Sequence, residues 1–165
     1  MDDQRLVVRR ARRKDLPTIV GVMNSSRWLP KPITEEQALA RLLQKGLWLV
    51  ISRTGAALAG WQIENLVTCV DDFYVYPPQA AGRLGPPLLE AVERAAGELE
   101  CEVAAVKVPD HIHEDIGAML CGCGYSCRSL EDLDQIWREV LGQFMPGAGA
   151  VWVKQLRTDR VVMPI

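Results

Sequence analysis

The 165-residue sequence has little net charge, no long apolar run and an odd number of cysteines. Nineteen basic against 21 acidic residues give a net charge of -2, which excludes a polycation that holds nucleic acid by overall charge. No apolar run approaches the roughly 20 residues of a membrane span, and residues 1–3 (Met-Asp-Asp) lack the basic start of a signal peptide. We therefore expect a cytoplasmic protein with no nucleic-acid or membrane partner.

The cysteine pattern does not predict a disulfide framework. Three of the five cysteines are crowded at Cys121, Cys123 and Cys127, and reduced thiols fit an odd number better. With His111 and His113 they form a group of soft and borderline metal ligands. The Cys-x-Cys spacing lacks the two-residue gap of common zinc knuckles, so we expect no metal site.

Apolar periodicity predicts one compact α/β domain, for which 165 residues and 48% hydrophobic content are sufficient. The predicted strands cover residues 6–10, 47–52, 56–63, 67–76, 101–108 and 150–156. The predicted helices begin at Asp15 and at a Thr34/Gln37 capping box, with further helices over residues 88–99, 116–121 and 131–144. The second helix carries an apolar stripe of Ala38, Leu39, Leu42 and Leu43.

Two local patterns bear on a functional site. The period of two in the strand over residues 67–76 predicts that Cys69, Asp71, Phe73 and Val75 share one face, with carboxylates in mid-strand. Burying a carboxylate without a partner is unfavourable. A carboxylate in mid-strand is therefore expected to contact water, to pair with a cation or to take part in a functional site. Trp28, in a loop over residues 24–32, either touches a substrate or packs over the edge of the core; burial of large aromatics favours the core.

Residues 75–89 most constrain the functional interpretation. They join the strand over residues 67–76 to the predicted helix at residue 88 through a glycine-containing turn. A strand, a glycine turn and a helix start together can cradle a phosphate, because the first N–H groups of a helix have no partners inside it.

In its element order and motifs the chain resembles the GCN5-related N-acetyltransferase (GNAT) superfamily over nearly its whole length. The matches are Val75-Tyr76-Pro77 at the end of the fourth strand, Gly85 with Leu88-Leu89 at the long helix, and Gly124-Tyr125. The resemblance implies a GNAT-like mixed, mostly antiparallel sheet flanked by helices, in one domain over residues 1–165. It also implies acetyl-CoA as co-substrate, bound between the fourth and fifth strands. The implied cofactor-binding residues are Phe73, Tyr74 and Val75 along the pantetheine arm, and Ala80, Ala81, Gly82, Arg83, Leu84 and Gly85 around the pyrophosphate.

The phosphate loop departs from the family pattern. The family's loop reads Arg or Gln, then two residues, Gly, one residue, and Gly or Ala. When Gly85 is aligned with the last position, Ala80 stands at the first position and Arg83 at the middle glycine. Pro86 and Pro87 remove two N–H donors and are expected in the first turn of the helix. Arg83 could offset that loss by a charge-assisted phosphate contact, or could stay a surface arginine.

Acetyl transfer needs a neutral amine, a polarised thioester carbonyl and a proton for the departing thiolate. The family's tyrosine acid would fall at Leu120. The thiol of Cys121, one residue on, is the candidate donor, and the alternative is that Cys121 is a small buried apolar residue of a helix. Asp71 and Glu64 are the candidate bases, each with structural pairing as the alternative.

The sequence thus predicts an acetyl-CoA-dependent N-acyltransferase that works by direct attack of an amine on the thioester. The alternative is a degenerate GNAT-fold module that binds a CoA-like ligand or a protein partner without catalysis. The expected acceptor is a small-molecule or peptide amine, and residues 24–34 are the segment expected to select it. The apolar tail at residues 161–165 and Trp152 could serve a homodimer as easily as a core.

Overall fold

A seven-stranded sheet forms the centre of the structure, a computed structural model that describes residues 5–158. The strands are β1 (Val8–Arg10), β2 (Leu47–Ser52), β3 (Gly55–Glu64), β4 (Val67–Tyr76), β5 (Val103–Val106), β6 (Ser126–Ser129) and β7 (Ala150–Gln155). The helices are α1 (Leu16–Ser26), α2 (Glu35–Gln44), α3 (Ala81–Glu98), α4 (Glu114–Gly122) and α5 (Gln135–Phe144). The strand order is β1-β2-β3-β4-β5-β7-β6, and only β4 and β5 pair in parallel. The predicted mixed, mostly antiparallel fold is therefore confirmed.

Helices cover both faces of the sheet. On one face α3 and α4 bury residues such as Leu88 and Leu120 against β3, β4 and β5. On the other face α1 and α2 bury Ile19 and Ala38, and α5 buries Trp137. The sheet is therefore covered on both faces. A ligand can reach between its strands only where two neighbouring strands separate.

The start of α2 follows the predicted capping box. The backbone N–H of Gln37 donates to Thr34 Oγ1 at 3.2 Å, and the backbone N–H of Thr34 donates to Gln37 Oε1 at 3.0 Å. The predicted apolar stripe is wrong at Leu43, whose surface is 70% exposed. Ala38 faces the core, whereas Leu43 lies at the outer side of the last turn.

Asp15 fixes the start of α1. Its carboxylate accepts the backbone N–H of Arg12 at 2.7 Å and both terminal nitrogens of the Arg9 guanidinium at 2.8 Å. The Arg9 hydrogen bond lowers the pKa of Asp15 from 3.8 to about 2, against the opposing effect of burial. Arg9 is therefore a structural residue that is paired with Asp15.

Replacing Asp15 with asparagine should lower the free energy of unfolding at pH 7 by about 2 kcal/mol, the equivalent of the pKa shift. Because the folded-state pKa is depressed, this contribution is present above the ordinary pKa of 3.8 and is lost as pH falls through about 2. Urea denaturation at several pH values should show a difference from wild type that is constant near neutrality and narrows below about pH 4. A difference independent of pH would contradict the ion-pair explanation.

The structure corrects the start of the long helix. The helix expected over residues 88–99 begins at Ala81, after a 3-10 turn at Pro78–Ala80, and ends at Glu98. Pro86 and Pro87 therefore lie inside the helix rather than in its first turn. Because proline has no N–H, the carbonyls of Gly82 and Arg83 have no hydrogen-bond donor four residues later in the helix. Both residues are exposed, so water can take the place of the missing donors.

Two strands also differ from the sequence pattern. The strand expected over residues 101–108 is four residues long, Val103–Val106. The strand β6 has the polar sequence Ser-Cys-Arg-Ser at the edge of the sheet, and its residue pattern does not predict it. An edge strand can be polar because only one side of it pairs, here with β7.

Gly124 and Tyr125, which carry part of the family resemblance, lie between α4 and β6. Gly124 has φ +89°, a left-handed conformation that favours glycine. The buried Tyr125 hydroxyl donates to Glu93 Oε1 at 2.9 Å, and Lys154 Nζ lies 2.8 Å from Glu93 Oε2. Burial raises the pKa of Tyr125, so it stays a neutral donor that ties α3 to the β6 and β7 side of the sheet.

Of the residues named above for a possible homodimer, the structure describes only Trp152. Trp152 is half-buried in β7 and packs against the core beneath α3 and α4. The tail at residues 161–165 lies outside the described residues.

No helix among residues 5–158 has the length and apolar character needed to cross a bilayer.

Candidate active site

The strands β4 and β5 separate halfway along β4. They pair from Val67 with Val103 to Val70 with Val106, and the last bond between them runs from the Lys107 N–H to the Val70 carbonyl at 2.9 Å. Beyond that point β4 continues to Tyr76 paired with β3 alone. The outer half of β4 therefore has no strand partner on its β5 side.

A β-bulge marks the point of separation. Gly60 pairs with Asp72 and Trp61 with Val70, so Asp71 is the extra residue on β4. The bulge shifts the alternation of side chains by one, and the prediction that residues 69, 71, 73 and 75 share a face is wrong. Cys69 belongs to the core under α5, whereas Phe73 and Val75 belong to the core under α3 and α4.

A cleft of about 320 Å³ opens at this separation. Its walls come from the α1–α2 loop, the end of α2, the bulged part of β4 and the segment after β5. The lining residues are Trp28, Leu29, Pro30, Arg41, Asp71, Asp72, Phe73, Tyr74, Lys107, Val108 and Pro109. The candidate base Asp71 and the expected cofactor residues Phe73 and Tyr74 thus meet in one cavity.

The two mid-strand carboxylates are paired with two cations from the end of α2. Lys45 Nζ lies 2.6 Å from Asp71 Oδ1 and 2.8 Å from Asp72 Oδ2. Arg41 donates through Nη1 to Asp72, and Gln62 Nε2 donates to Asp71 Oδ2 at 3.3 Å. The Asp72 and Lys45 side chains are 4% and 7% exposed, whereas Asp71 retains 19%, so Asp71 is the carboxylate that solvent and ligands can reach.

Two aromatic side chains form one wall of the cleft. Trp28 and Tyr74 have ring centroids 5.5 Å apart, and both line the cavity. Trp28 is half-buried and packs against the core, which confirms one of the two interpretations offered for it, whereas contact with a substrate stays a prediction. Burial raises the pKa of Tyr74 to about 12, with a further contribution from Asp72, so its hydroxyl remains protonated at neutral pH.

The expected phosphate loop is helical in this structure. Ala80 precedes the first residue of α3, and residues 81–85 form its first turns. The Ala80 N–H donates to the Pro77 carbonyl at 3.0 Å, and the Ala81 N–H donates to the Pro78 carbonyl. These two backbone donors are therefore already used within the chain, whereas the next N–H groups belong to the first turn of α3, which a helix leaves without partners inside it.

Gly85 allows a close approach of α3 to α4. A β-carbon at that position would lie 2.6 Å from Met119 Sδ and 2.9 Å from Met119 Cγ. Nothing lies within 4 Å of a β-carbon at Gly82, which shares the same helix. The two glycines therefore form a matched pair for testing the packing.

Replacing Gly82 with alanine should stabilise the protein by about 0.5–1 kcal/mol through helix propensity. Replacing Gly85 with alanine should instead destabilise it by about 1–3 kcal/mol, because the added β-carbon displaces the Met119 side chain from a packed site. Thermal or urea unfolding measures both effects. Equal responses at the two positions would contradict the packing role of Gly85.

Arg83 lies beside two other arginines. With Arg5 and Arg53 it lines a small cavity of about 80 Å³ next to the β2–β3 turn, and the Arg83 side chain is exposed near the start of α3. Three guanidinium groups line this one cavity, and Arg83 is the one at the start of α3. Such a cluster suits an anion of the phosphate class.

The other two predicted catalytic residues are not among those that line the cleft. Glu64 is exposed at the end of β3, where the turn into β4 begins. Cys121 is exposed near the end of α4. Among residues 5–158 no group of three or more histidine, cysteine or acidic residues is placed to hold a metal ion.

Sequence reasoning missed the cations of the cleft. Arg41 and Lys45 are four residues apart at the end of α2 and so share one side of it, which is the only local signal they give. Lys107 gives none, because it follows a buried strand like many solvent-facing lysines. The contacts of Arg41 and Lys45 with Asp71 and Asp72 depend on the packing of α2 on α1, which in turn packs on β4.

Solved structures share the fold of this chain. An acetyltransferase of the GNAT family from Staphylococcus aureus Mu50 superposes with a TM-score of 0.69 at 12% identity, covering 92% of this chain and 99% of that one. The chain has the GNAT fold. The PaiA N-acetyltransferase from Thermoplasma acidophilum, solved with coenzyme A, gives 0.64 at 13% identity over 91% and 98% of the two chains. The yncA protein from Salmonella typhimurium, solved with acetyl-CoA, gives 0.64 at 16% identity over 94% and 96%. No protein-family model and no curated protein sequence matches the chain.

Proposed function

We propose that the protein transfers the acetyl group of acetyl-CoA to an amine. The observation that carries the proposal is the cleft at the β4–β5 separation, with a reachable carboxylate at the bulge and an unpaired strand edge beside it. Two proteins of the same fold were solved with coenzyme A or acetyl-CoA. These neighbours are 13% and 16% identical to the chain, so they support the cofactor by analogy of fold.

The cofactor arm is proposed to lie along Phe73, Tyr74 and Val75. Backbone groups on the open edge of β4 can hydrogen-bond an extended ligand as an added strand would. The expected phosphate residues Ala80 to Gly85 follow β4 in the chain, at the end of the 3-10 turn and the start of α3, and are not among the residues that line the cleft. Phosphate groups would then contact the Arg83 side chain, near Arg5 and Arg53, together with the N–H groups at the start of α3.

Asp71 is the proposed base. The amine nitrogen attacks the thioester carbonyl carbon, the carbon–sulfur bond breaks, and the proton of the amine passes to Asp71. Lys45 keeps Asp72 as a partner when Asp71 becomes protonated, so its buried ammonium is not left unpaired. The CoA thiolate leaves with a proton from solvent or from Tyr74, which lines the cleft, whereas Cys121 is not among the lining residues.

One observation favours a second function. Because the N–H groups of Ala80 and Ala81 already donate to the Pro77 and Pro78 carbonyls, and Pro86 and Pro87 have none, the backbone offers a pyrophosphate fewer donors than an open turn would. A GNAT-fold module that binds a CoA-like ligand or a protein without catalysis is consistent with that feature. The distinction rests on binding and turnover measured on the same preparation.

Acetyl-CoA should stabilise the protein against thermal unfolding by about 2.7 kcal/mol at 100 times its dissociation constant. The Arg83→Ala variant should need more cofactor for the same shift, whereas Arg138→Gln, which removes an exposed cation on α5, should behave as wild type. No stabilisation at millimolar acetyl-CoA would contradict the proposed function. Stabilisation without release of free thiol from any amine would favour the binding module.

A further inference from the structure

A second cavity adjoins the cleft and extends it under the α1–α2 loop. It measures about 510 Å³ and is lined by Leu29, Pro30, Lys31, Pro32, Ile33, Gln37, Ala40 and Arg41. Leu29, Pro30 and Arg41 line both cavities, so these three residues form the boundary between them. Most of the lining of the second cavity is hydrocarbon, and it therefore suits an apolar group.

The charges of the two cavities do not balance. Among residues 5–158, Asp71 and Asp72 are the only acidic residues that line either one; Lys45 contacts both of them and Arg41 contacts Asp72. Lys107 lines the cleft and Lys31 lines the second cavity. Neither has an acidic partner within 4 Å in the part of the chain that the structure describes. Counted with Lys45, which contacts both carboxylates from behind the lining, four cations face two carboxylates around the joint cavity, an excess of two positive charges.

Arg41 stands where the apolar and charged regions meet. Its side chain is 33% exposed, and only Nη1 donates to Asp72. A guanidinium has five N–H donors in a planar fork, so the group can hold Asp72 and still offer donors to a second anion. Lys107, half-buried across the cleft, supplies a further ammonium.

We propose that the acceptor carries a carboxylate as well as an amine, as a free amino acid with an apolar side chain does. The carboxylate lies between Arg41 and Lys107, the amine faces Asp71, and the side chain enters the cavity beside Leu29 and Ile33. This assignment rests on the proposed acetyl transfer and names its substrate class. An acceptor with several positive charges is disfavoured, because it would meet the uncompensated lysines.

The test compares apolar amino acids with their own amides as acceptors. L-Leucine and L-phenylalanine are each matched with leucinamide and phenylalaninamide, which keep the shape and the amine but lose the negative charge. With saturating acetyl-CoA, release of free thiol should give kcat/KM values at least about tenfold higher for the acids, the effect of roughly one charge-assisted contact. In Lys107→Met this preference should fall towards parity through a higher KM for the acids. Arg138→Gln, which removes one cation elsewhere, should keep the wild-type ratio.

Each result decides one claim. If amides, or amines without a carboxylate, react as fast as the acids, the substrate class is wrong while acetyl transfer stands. If no amine releases thiol, acetyl transfer fails, and calorimetric titration of the unliganded protein with the same acids and amides decides the rest. Tighter binding of the acids that weakens in Lys107→Met would retain the carboxylate site, and equal or absent binding would overturn it.

Discussion

Replacing Lys45 with methionine should lower the free energy of unfolding by about 3–5 kcal/mol, the largest stability effect expected for a single charged residue in this protein. Lys45 is 7% exposed and contacts both mid-strand carboxylates, at 2.6 and 2.8 Å. Methionine fills a similar volume, so the loss is electrostatic. Asp72 would keep Arg41, whereas Asp71 would keep only the amide of Gln62.

Two further variants identify the cause. Adding Asp71→Asn to Lys45→Met should restore part of the lost stability, because it removes the carboxylate left without a cation. Arg94→Ala breaks an exposed ion pair with Glu90, at 3.6 Å and with both side chains about 70% exposed, and should change stability by less than about 0.5 kcal/mol. Urea denaturation measures all three. A Lys45→Met protein within about 1 kcal/mol of wild type would contradict the buried charge network.

Replacing Asp71 with asparagine should lower kcat for acetyl transfer by about 100-fold or more, the usual contribution of a positioned base. Asparagine preserves the shape and can still accept the hydrogen bond from Gln62, and Lys45 retains Asp72. The stabilisation by acetyl-CoA should therefore persist while turnover is lost. Steady-state kinetics and thermal unfolding on the same preparation separate the two effects.

Glu64 offers the comparison that distinguishes the two candidate bases. It is exposed at the β3–β4 turn and is not among the lining residues of the cleft, so Glu64→Gln should keep kcat within about twofold. A large loss in Glu64→Gln with little change in Asp71→Asn would move the base to the turn. Full activity in both variants would mean that solvent deprotonates the amine.

The fold was predictable because its local patterns agree with its tertiary structure. The Thr34 capping box, the apolar stripes of the helices and the hairpin of β2 and β3 each indicate their element directly. The start of α3 was not predictable, because Gly82, Gly85 and two prolines are typical of a turn. Burial of Ala81 and Leu84 against the sheet favours the helix, and the carbonyls that the prolines leave unpaired belong to exposed residues.

The site was predictable only in part. Two adjacent carboxylates in an apolar strand are unusual enough to indicate Asp71 from the sequence alone. The bulge that exposes Asp71 arises from the pairing of β4 with β3, and a strict period of two cannot show it. Lys45 lies 26 positions earlier in the chain, and its contact with Asp71 exists only after α2 packs beside β4.

The most direct test of acetyl transfer is release of free CoA thiol from acetyl-CoA by the purified protein in the presence of apolar amino acids. The proposal predicts thiol release that depends on both protein and amine, with a product heavier by one acetyl group in mass spectrometry, and its near loss in Asp71→Asn. Thiol release at the rate of the protein-free control, with every amine and at saturating acetyl-CoA, would contradict it.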